Sequence, residues 1–434
     1  MAHKTIVIGA GLAGLSAAYE LVKAGCDVRV FEAQERVGGR VYTAQMSGEQ
    51  YGELGAEFVD DNHTAIKDYI TKFDLQLDLA CQFPDDLYWF IDGILRNRNS
   101  LSPTQSIALD SLYAQLQTLI EQQQDPPITL DEWLEAKAFA PFASRIARLQ
   151  AHSLFATDAE TIGPGFFAYP GSDSNVIMRI RGGSSRLVDA LAKQLGKRVN
   201  TGNAVRRIQQ IGNTVIVNVE TASGFVEIVA DSAIATIPWN VLRHISLEIP
   251  IVEAQKEAIF NLPYGGAVKT LLQYPKSFWS QPNFGLVLLE GNYQAIWEPT
   301  FAQIGTTKIL SCFSGGTPSL NLAQSVRSLA EEAVRAIYPN ALDTIDCVSY
   351  DWSADEWIRG AYCYFGPGDL NRFNPYLTLP AGRVLFAGEH TAPVEFRGYM
   401  EGAIRSGQRA AQQVLKLQPT ETEIERSDPY FRNR

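Results

Sequence analysis

Residues 4–40, KTIVIGAGLAGLSAAYELVKAGCDVRVFEAQERVGGR, hold side chains whose types and spacing could do chemistry. Gly9 permits a tight turn, Gly11 lets a backbone approach a pyrophosphate, and Gly14 lets a helix lie close to a strand. Glu32 follows Gly14 at the distance (14 to 32) where a carboxylate can accept both hydroxyls of an adenosine ribose. The same charge would repel a 2′-phosphate, which argues against NADP. Arg36-Val37-Gly38-Gly39-Arg40 comes next. A nicotinamide-binding unit has no need for a second glycine pair and arginine here. The pyrophosphate of FAD, running on toward its isoalloxazine ring, does: Gly39 allows close approach and Arg40 places a fixed cation on phosphate.

These residues need a strand, a turn, a helix and a second strand to position them. Residues 5–8 are a β-branched run, residues 12–23 are rich in alanine and leucine, and residues 27–31 alternate as a strand ending at Glu32. A helix opening at Gly11 would offer free N–H groups and a partial positive charge to phosphate. The spacing therefore predicts a dinucleotide-binding βαβ unit.

The chain has 434 residues, 46% of them hydrophobic, enough for two packed cores. A formal charge of −11 argues against nucleic acid as a partner. Five cysteines are scattered singly, without metal-like spacing to the five histidines, so no metal site is expected. The first strand begins at residue 5, no apolar run reaches membrane-spanning length, and residues 421–434 are charged. A cytoplasmic protein without a membrane partner is the expectation.

The pairing of the two glycine motifs resembles the large FAD family that contains amine oxidases, phytoene desaturases and protoporphyrinogen oxidase. Within it, Tyr51-Gly52-Glu53-Leu54-Gly55-Ala56-Glu57-Phe58 is similar to a second loop near the flavin, and Arg181-Gly182-Gly183-Ser184-Ser185-Arg186-Leu187 to the step where the chain re-enters the FAD domain. The resemblance implies that Val205 meets adenine through its backbone. It also implies that Gly388 and Glu389, after the apolar run 384–387, approach the flavin and bind its ribityl or pyrophosphate region. Tyr264-Gly265-Gly266-Ala267-Val268-Lys269 resembles the amine-oxidase branch, where a lysine here reaches flavin N5 through water. Strand alternation would put Lys269 on the face of Ala267 and Leu271, a poor face for solvent. In the monoamine-oxidase branch the positions of Tyr362 and Tyr399 supply two tyrosines flanking the amine, with a tryptophan, here Trp352, close by. Tyr364 would share a strand face with Tyr362, and Cys363 would face away. Members with covalent flavin have a cysteine where this chain has Ala361, so non-covalent FAD is expected.

These readings combine into an α/β fold: a Rossmann-type FAD-binding domain from the discontinuous segments 1–75, 178–248 and 380–418, with an inserted α+β substrate-binding domain from 76–177 and 249–379. Residues 419–434 are a polar tail. The expected reaction is oxidation of a primary or secondary amine, with dioxygen as acceptor and hydrogen peroxide as product; a homodimer is left open. The alternative is an L-amino-acid oxidase. It needs an arginine for the substrate carboxylate, absent from the 55–61 loop, though Arg96, Arg98 or Arg397 could supply one. A desaturase, a porphyrinogen oxidase or a non-catalytic flavin protein has less use for Lys269 and the tyrosines. Glu57, Asp60, Asp61, Asp85 and Asp86 could attract cationic substrates, or simply be solvated.

Overall fold

The computed structural model describes residues 2–82, 87–169, 176–279, 286–322 and 325–417. Its first sheet is wholly parallel, in the order Val199–Asn200, β2 (Asp27–Phe31), β1 (Lys4–Ile8), Ser232–Ala235, Val384–Phe386. Residues far apart in the chain thus flank β1, whose run Thr5–Ile8 is buried, as strands covered on both faces must be. Helix α1 (Leu12–Lys23) follows β1. A Cβ at Gly14 would lie 2.0 Å from the Gly9 carbonyl oxygen and 2.7 Å from Thr236 Oγ1, so only glycine lets α1 sit this close. The helix Met400–Lys416 packs on α1 through Gly407, where a Cβ would come 2.3 Å from the Ala13 oxygen.

A second, seven-stranded sheet runs Asp346–Asp351, Ala267–Tyr274, Lys308–Gly315, Ala295–Trp297, Leu286–Leu289, Leu87–Ile91, Ile94–Asn97. Ala267–Tyr274 is buried along its whole length, not on one face only, because it is an interior strand covered on both sides. Helices Pro103–Glu121 and Pro141–Phe155 pack together beside this sheet, the first burying Leu109, Leu112, Leu116 and Leu119. Thr129 caps Leu130–Ala136 with a reciprocal Thr129/Glu132 box, as its sequence predicts.

One expectation is corrected. Residues 357–364 form turns and coil rather than a strand; they carry one isolated bridge, Tyr264 to Cys363, with backbone bonds from Ala361 N–H to the Gly265 oxygen, Gly265 N–H to the Tyr362 oxygen and Tyr364 N–H to the Pro263 oxygen around it. Face-sharing between Tyr362 and Tyr364 therefore does not apply. Helix Val326–Ile337 follows the separate helical turn Thr317–Leu320. Asp85, Asp86 and the tail 419–434 lie outside the described residues.

Candidate active site

One cavity of about 340 Å³ lies between the two sheets and gathers residues from both. Gly9, Gly11, Glu32, Gly39, Arg40, Val205, Lys269, Trp352, Tyr362, Gly388, Glu389 and Tyr399 all line it; Gly14 does not, and works instead in helix packing.

At one end the start of α1 opens on the cavity with no side chain capping it, leaving its first N–H groups available. A Cβ at Gly11 would meet only the Gly38 oxygen, 4.0 Å away, so nothing within the protein demands glycine there. Glu32 accepts the Ala10 N–H (2.7 Å) and the Gln34 N–H (2.9 Å). Burial pushes its carboxyl up, against the pull of those bonds. Val205 lines the same end, where the ladder between Ala204–Ile211 and Thr214–Thr221 shifts register.

Arg40 donates from Nη1 to Glu389 Oε1 at 2.8 Å. Glu389 Oε2 takes the Gly398 N–H (2.8 Å) and the Cys363 thiol (3.5 Å). Burial, the largest single influence, would raise the Glu389 carboxyl; the Arg40 cation and its hydrogen bond, with the Gly398 N–H, together hold the group below its usual range. Cys363 therefore belongs to the cavity wall, because the chain is not a strand there. His390 is fully buried, and burial pushes its imidazole down to about 3. It does not line the cavity and packs against Trp239 (ring centroids 5.2 Å).

At the other end Lys269 is buried, its ammonium 2.6 Å from Glu57 Oε2, 3.3 Å from the Gly55 oxygen and 4.7 Å above the Trp297 ring. Glu57 Oε1 takes Arg179 Nε (2.6 Å) and Trp297 Nε1 (2.9 Å). Burial alone would raise the Glu57 carboxyl; Lys269 and Arg179 hold it lowered. The Tyr362 ring lies against Gly398, where a Cβ would stand 3.5 Å from its Cγ, and Tyr399 is the next residue. Burial pushes the Tyr362 phenol up to about 12 and raises that of Tyr399 as well, so both are neutral at physiological pH. Trp352 donates to the Leu54 oxygen (2.9 Å) and packs against Tyr350 with the rings tilted at 50°. The surrounding wall includes Phe155, Phe166, Leu286 and Phe313.

Sequence reasoning missed Trp297 and Arg179, which belong to no motif, and read Glu57 only as an acidic loop residue. Its carboxylate accepts from three of this protein's own donors, two of them cations. Of the three candidate arginines only Arg397 lines the cavity. Arg96 bonds the Ile91 carbonyl and Arg98 pairs with Asp110, both away from it.

A parallel sheet with a glycine-rich strand-to-helix turn, opening on a cavity with aromatic walls, is the arrangement found in dinucleotide-cofactor oxidoreductases. The chain belongs to the flavin-containing amine oxidoreductase family, whose model matches residues 12–415. Its cofactor is accordingly a flavin, typically non-covalent FAD in this family. It is 27% identical to a flavin-containing amine oxidase of Oncorhynchus mykiss, over 94% of this chain and 85% of that one. It is equally 27% identical to an L-amino-acid oxidase of Demansia vestigiata, over 98% and 89%. Among solved structures, putrescine oxidase bound to putrescine shares the fold with a TM-score of 0.84 at 22% identity, covering 96% of this chain and 99% of that one. Cyclohexylamine oxidase from Brevibacterium oxydans gives 0.83 at 23%, over the same shares. Among the described residues no helix is long and apolar enough to cross a membrane, and no cluster of three His, Cys, Asp or Glu could hold a metal.

Proposed function

We propose that this protein oxidises an apolar primary or secondary amine lacking an α-carboxylate to the imine, with dioxygen as the final acceptor and hydrogen peroxide as product. The observation that carries the reading is the joining, in one cavity, of the nucleotide cradle to a pocket of Lys269, Tyr362, Tyr399 and apolar wall. FAD would supply the two-electron acceptor for hydride from the amine α-carbon. Gly9, Gly11, Gly39 and the start of α1 would hold its pyrophosphate, Glu32 its ribose, and Arg40 with Glu389 the stretch beyond. Val205 would meet adenine. The segments 1–75, 178–248 and 380–418 make up this cofactor-binding part, and 76–177 with 249–379 the part that encloses substrate.

Tyr362 and Tyr399 steer a neutral amine between two aromatic faces and exclude water, keeping its lone pair available. Their phenols stay protonated and carry no charge into the pocket. Trp352 packs behind the cofactor-facing loop through Leu54. Lys269 presents a cation where negative charge develops as dioxygen is reduced. Glu57, already paired with Lys269, Arg179 and the Trp297 N–H, is not free to take the second ammonium of a diamine.

The second reading, an L-amino-acid oxidase, rests on Arg397, a buried arginine of the cavity wall whose Nη1 has no hydrogen-bond partner among the described residues. Burying a carboxylate without a cation costs several kcal/mol. At about 1.4 kcal/mol per tenfold, the first reading expects tyramine to exceed tyrosine in kcat/KM by at least about a hundredfold. Cadaverine should trail tyramine. If tyrosine wins, and Arg397→Met abolishes that advantage, the second reading replaces the first. Bleaching of the flavin by tyramine without oxygen checks that the protein is a catalyst at all.

A further inference from the structure

We infer that Glu57 is a positioning residue: its carboxylate fixes the Lys269 ammonium on the cavity wall and acts on the cofactor through that lysine. The inference rests on the proposed placing of Lys269 beside the flavin.

Glu57 sits in the loop between Tyr51–Glu53 and Phe58–Asp60, and three separate strands converge on it. Lys269 comes from Ala267–Tyr274, Trp297 from Ala295–Trp297 and Arg179 from Val176–Ile180. The lysine contact at 2.6 Å uses one carboxylate oxygen, and the other two donors share the second oxygen. Trp297 closes the arrangement, since its N–H binds Glu57 while its ring lies under the ammonium. Without the carboxylate, Lys269 keeps only the 3.3 Å contact to Gly55 and the Trp297 face, neither of which fixes a long flexible side chain in one place. Glu57 is itself held by Arg179 and Trp297, so its position does not depend on the lysine it restrains. A buried lysine with no such anchor would adopt several rotamers. A fixed one keeps its charge at one point of the wall.

The test is a double-mutant cycle on the FAD-loaded protein: wild type, Glu57→Gln, Lys269→Met and the double variant. Two quantities are read in each, the rate of flavin reoxidation by dioxygen and the flavin midpoint potential, which needs no substrate. Glu57→Gln is expected to slow reoxidation about tenfold or more, and to shift the potential by about 30 mV or more, the equivalent of tenfold for a two-electron couple. In the Lys269→Met background the same change should alter the rate by less than about threefold and the potential by less than about 14 mV, its two-electron equivalent. Equal effects in both backgrounds would overturn the inference, because the carboxylate would then act directly or only on the fold. If Lys269→Met changes neither quantity, the lysine is not beside the flavin and the underlying reading falls too. Glu57→Gln leaves two buried cations facing a neutral amide and could fail to fold, so Glu57→Asp is run beside it. Aspartate keeps the charge but draws the carboxylate back by one carbon. It should fold and still slow reoxidation measurably; wild-type behaviour in both readouts would show that position is not what Glu57 sets.

Discussion

At the nucleotide end of the cavity, Gly9, Gly11, Glu32, Gly39 and Arg40 come from a single run of forty residues. At the Lys269 end, the lysine, Glu57, Trp297, Arg179, Tyr362 and Tyr399 come from six separate segments. The first end works mainly through backbone: glycines without side chains, a bare helix start, and a carboxylate held by two N–H groups. The second works through side chains whose charges are balanced only after distant strands meet. Local geometry can build a cradle for phosphate, whereas a buried ammonium needs a partner brought by the fold.

The comparison can be broken most severely within the nucleotide end itself. Gly14→Ala puts a Cβ 2.0 Å from a backbone oxygen, and little folded protein should be recovered from expression. Gly11→Ala meets nothing closer than 4.0 Å and should fold normally, yet bind FAD more weakly. Equal recovery and equal FAD affinity in the two variants would erase the distinction between a packing glycine and a binding one.

Next in size is Lys269→Met. Removing one preorganised charge from a water-excluded site costs roughly a hundredfold or more. Stopped-flow traces should show this in reoxidation, with anaerobic reduction by amine much less affected. A loss confined to the reductive half-reaction would assign the lysine to amine binding instead.

Glu53 sharpens the contrast through pH. It accepts Thr43 Oγ1 (2.9 Å) and the Ser184 N–H (2.7 Å), tying the first glycine segment to the Gly182-Gly183 return. Burial pushes its carboxyl from 4.5 up to about 7. The folded state therefore binds this proton more tightly than the unfolded chain. Its stabilisation is complete below pH 4.5 and is lost as pH rises through 7, on the order of 3 kcal/mol at most. Tm should fall between pH 5 and pH 8, and Glu53→Gln should flatten that slope.

The smallest effect belongs to Glu32→Ala. The net loss of one charge-assisted bond from a ribose hydroxyl, roughly 1.5–3 kcal/mol, should make FAD bind about tenfold to a hundredfold more weakly without a new cofactor preference. Titration of the apoprotein measures it. Unchanged affinity would place the ribose elsewhere.

The sequence by itself determined the βαβ unit, because strand, turn and helix between residues 4 and 40 follow from local propensity, glycine geometry and apolar period. It also marked Lys269, Tyr362 and Tyr399 as candidates through motif resemblance, and the structure brings all three to one cavity wall. It did not determine the path of 357–364, where β-like composition yields turns held by a few backbone bonds to residues 263–265 rather than by a strand ladder. Nor did it reveal that Glu57 is neither solvated nor free. That depends on Arg179, Trp297 and Lys269 arriving from three strands at the same carboxylate, and no local pattern records which distant cations a buried anion will meet. Short-range backbone geometry is written in neighbouring residues; the compensation of buried charge is a property of the assembled fold.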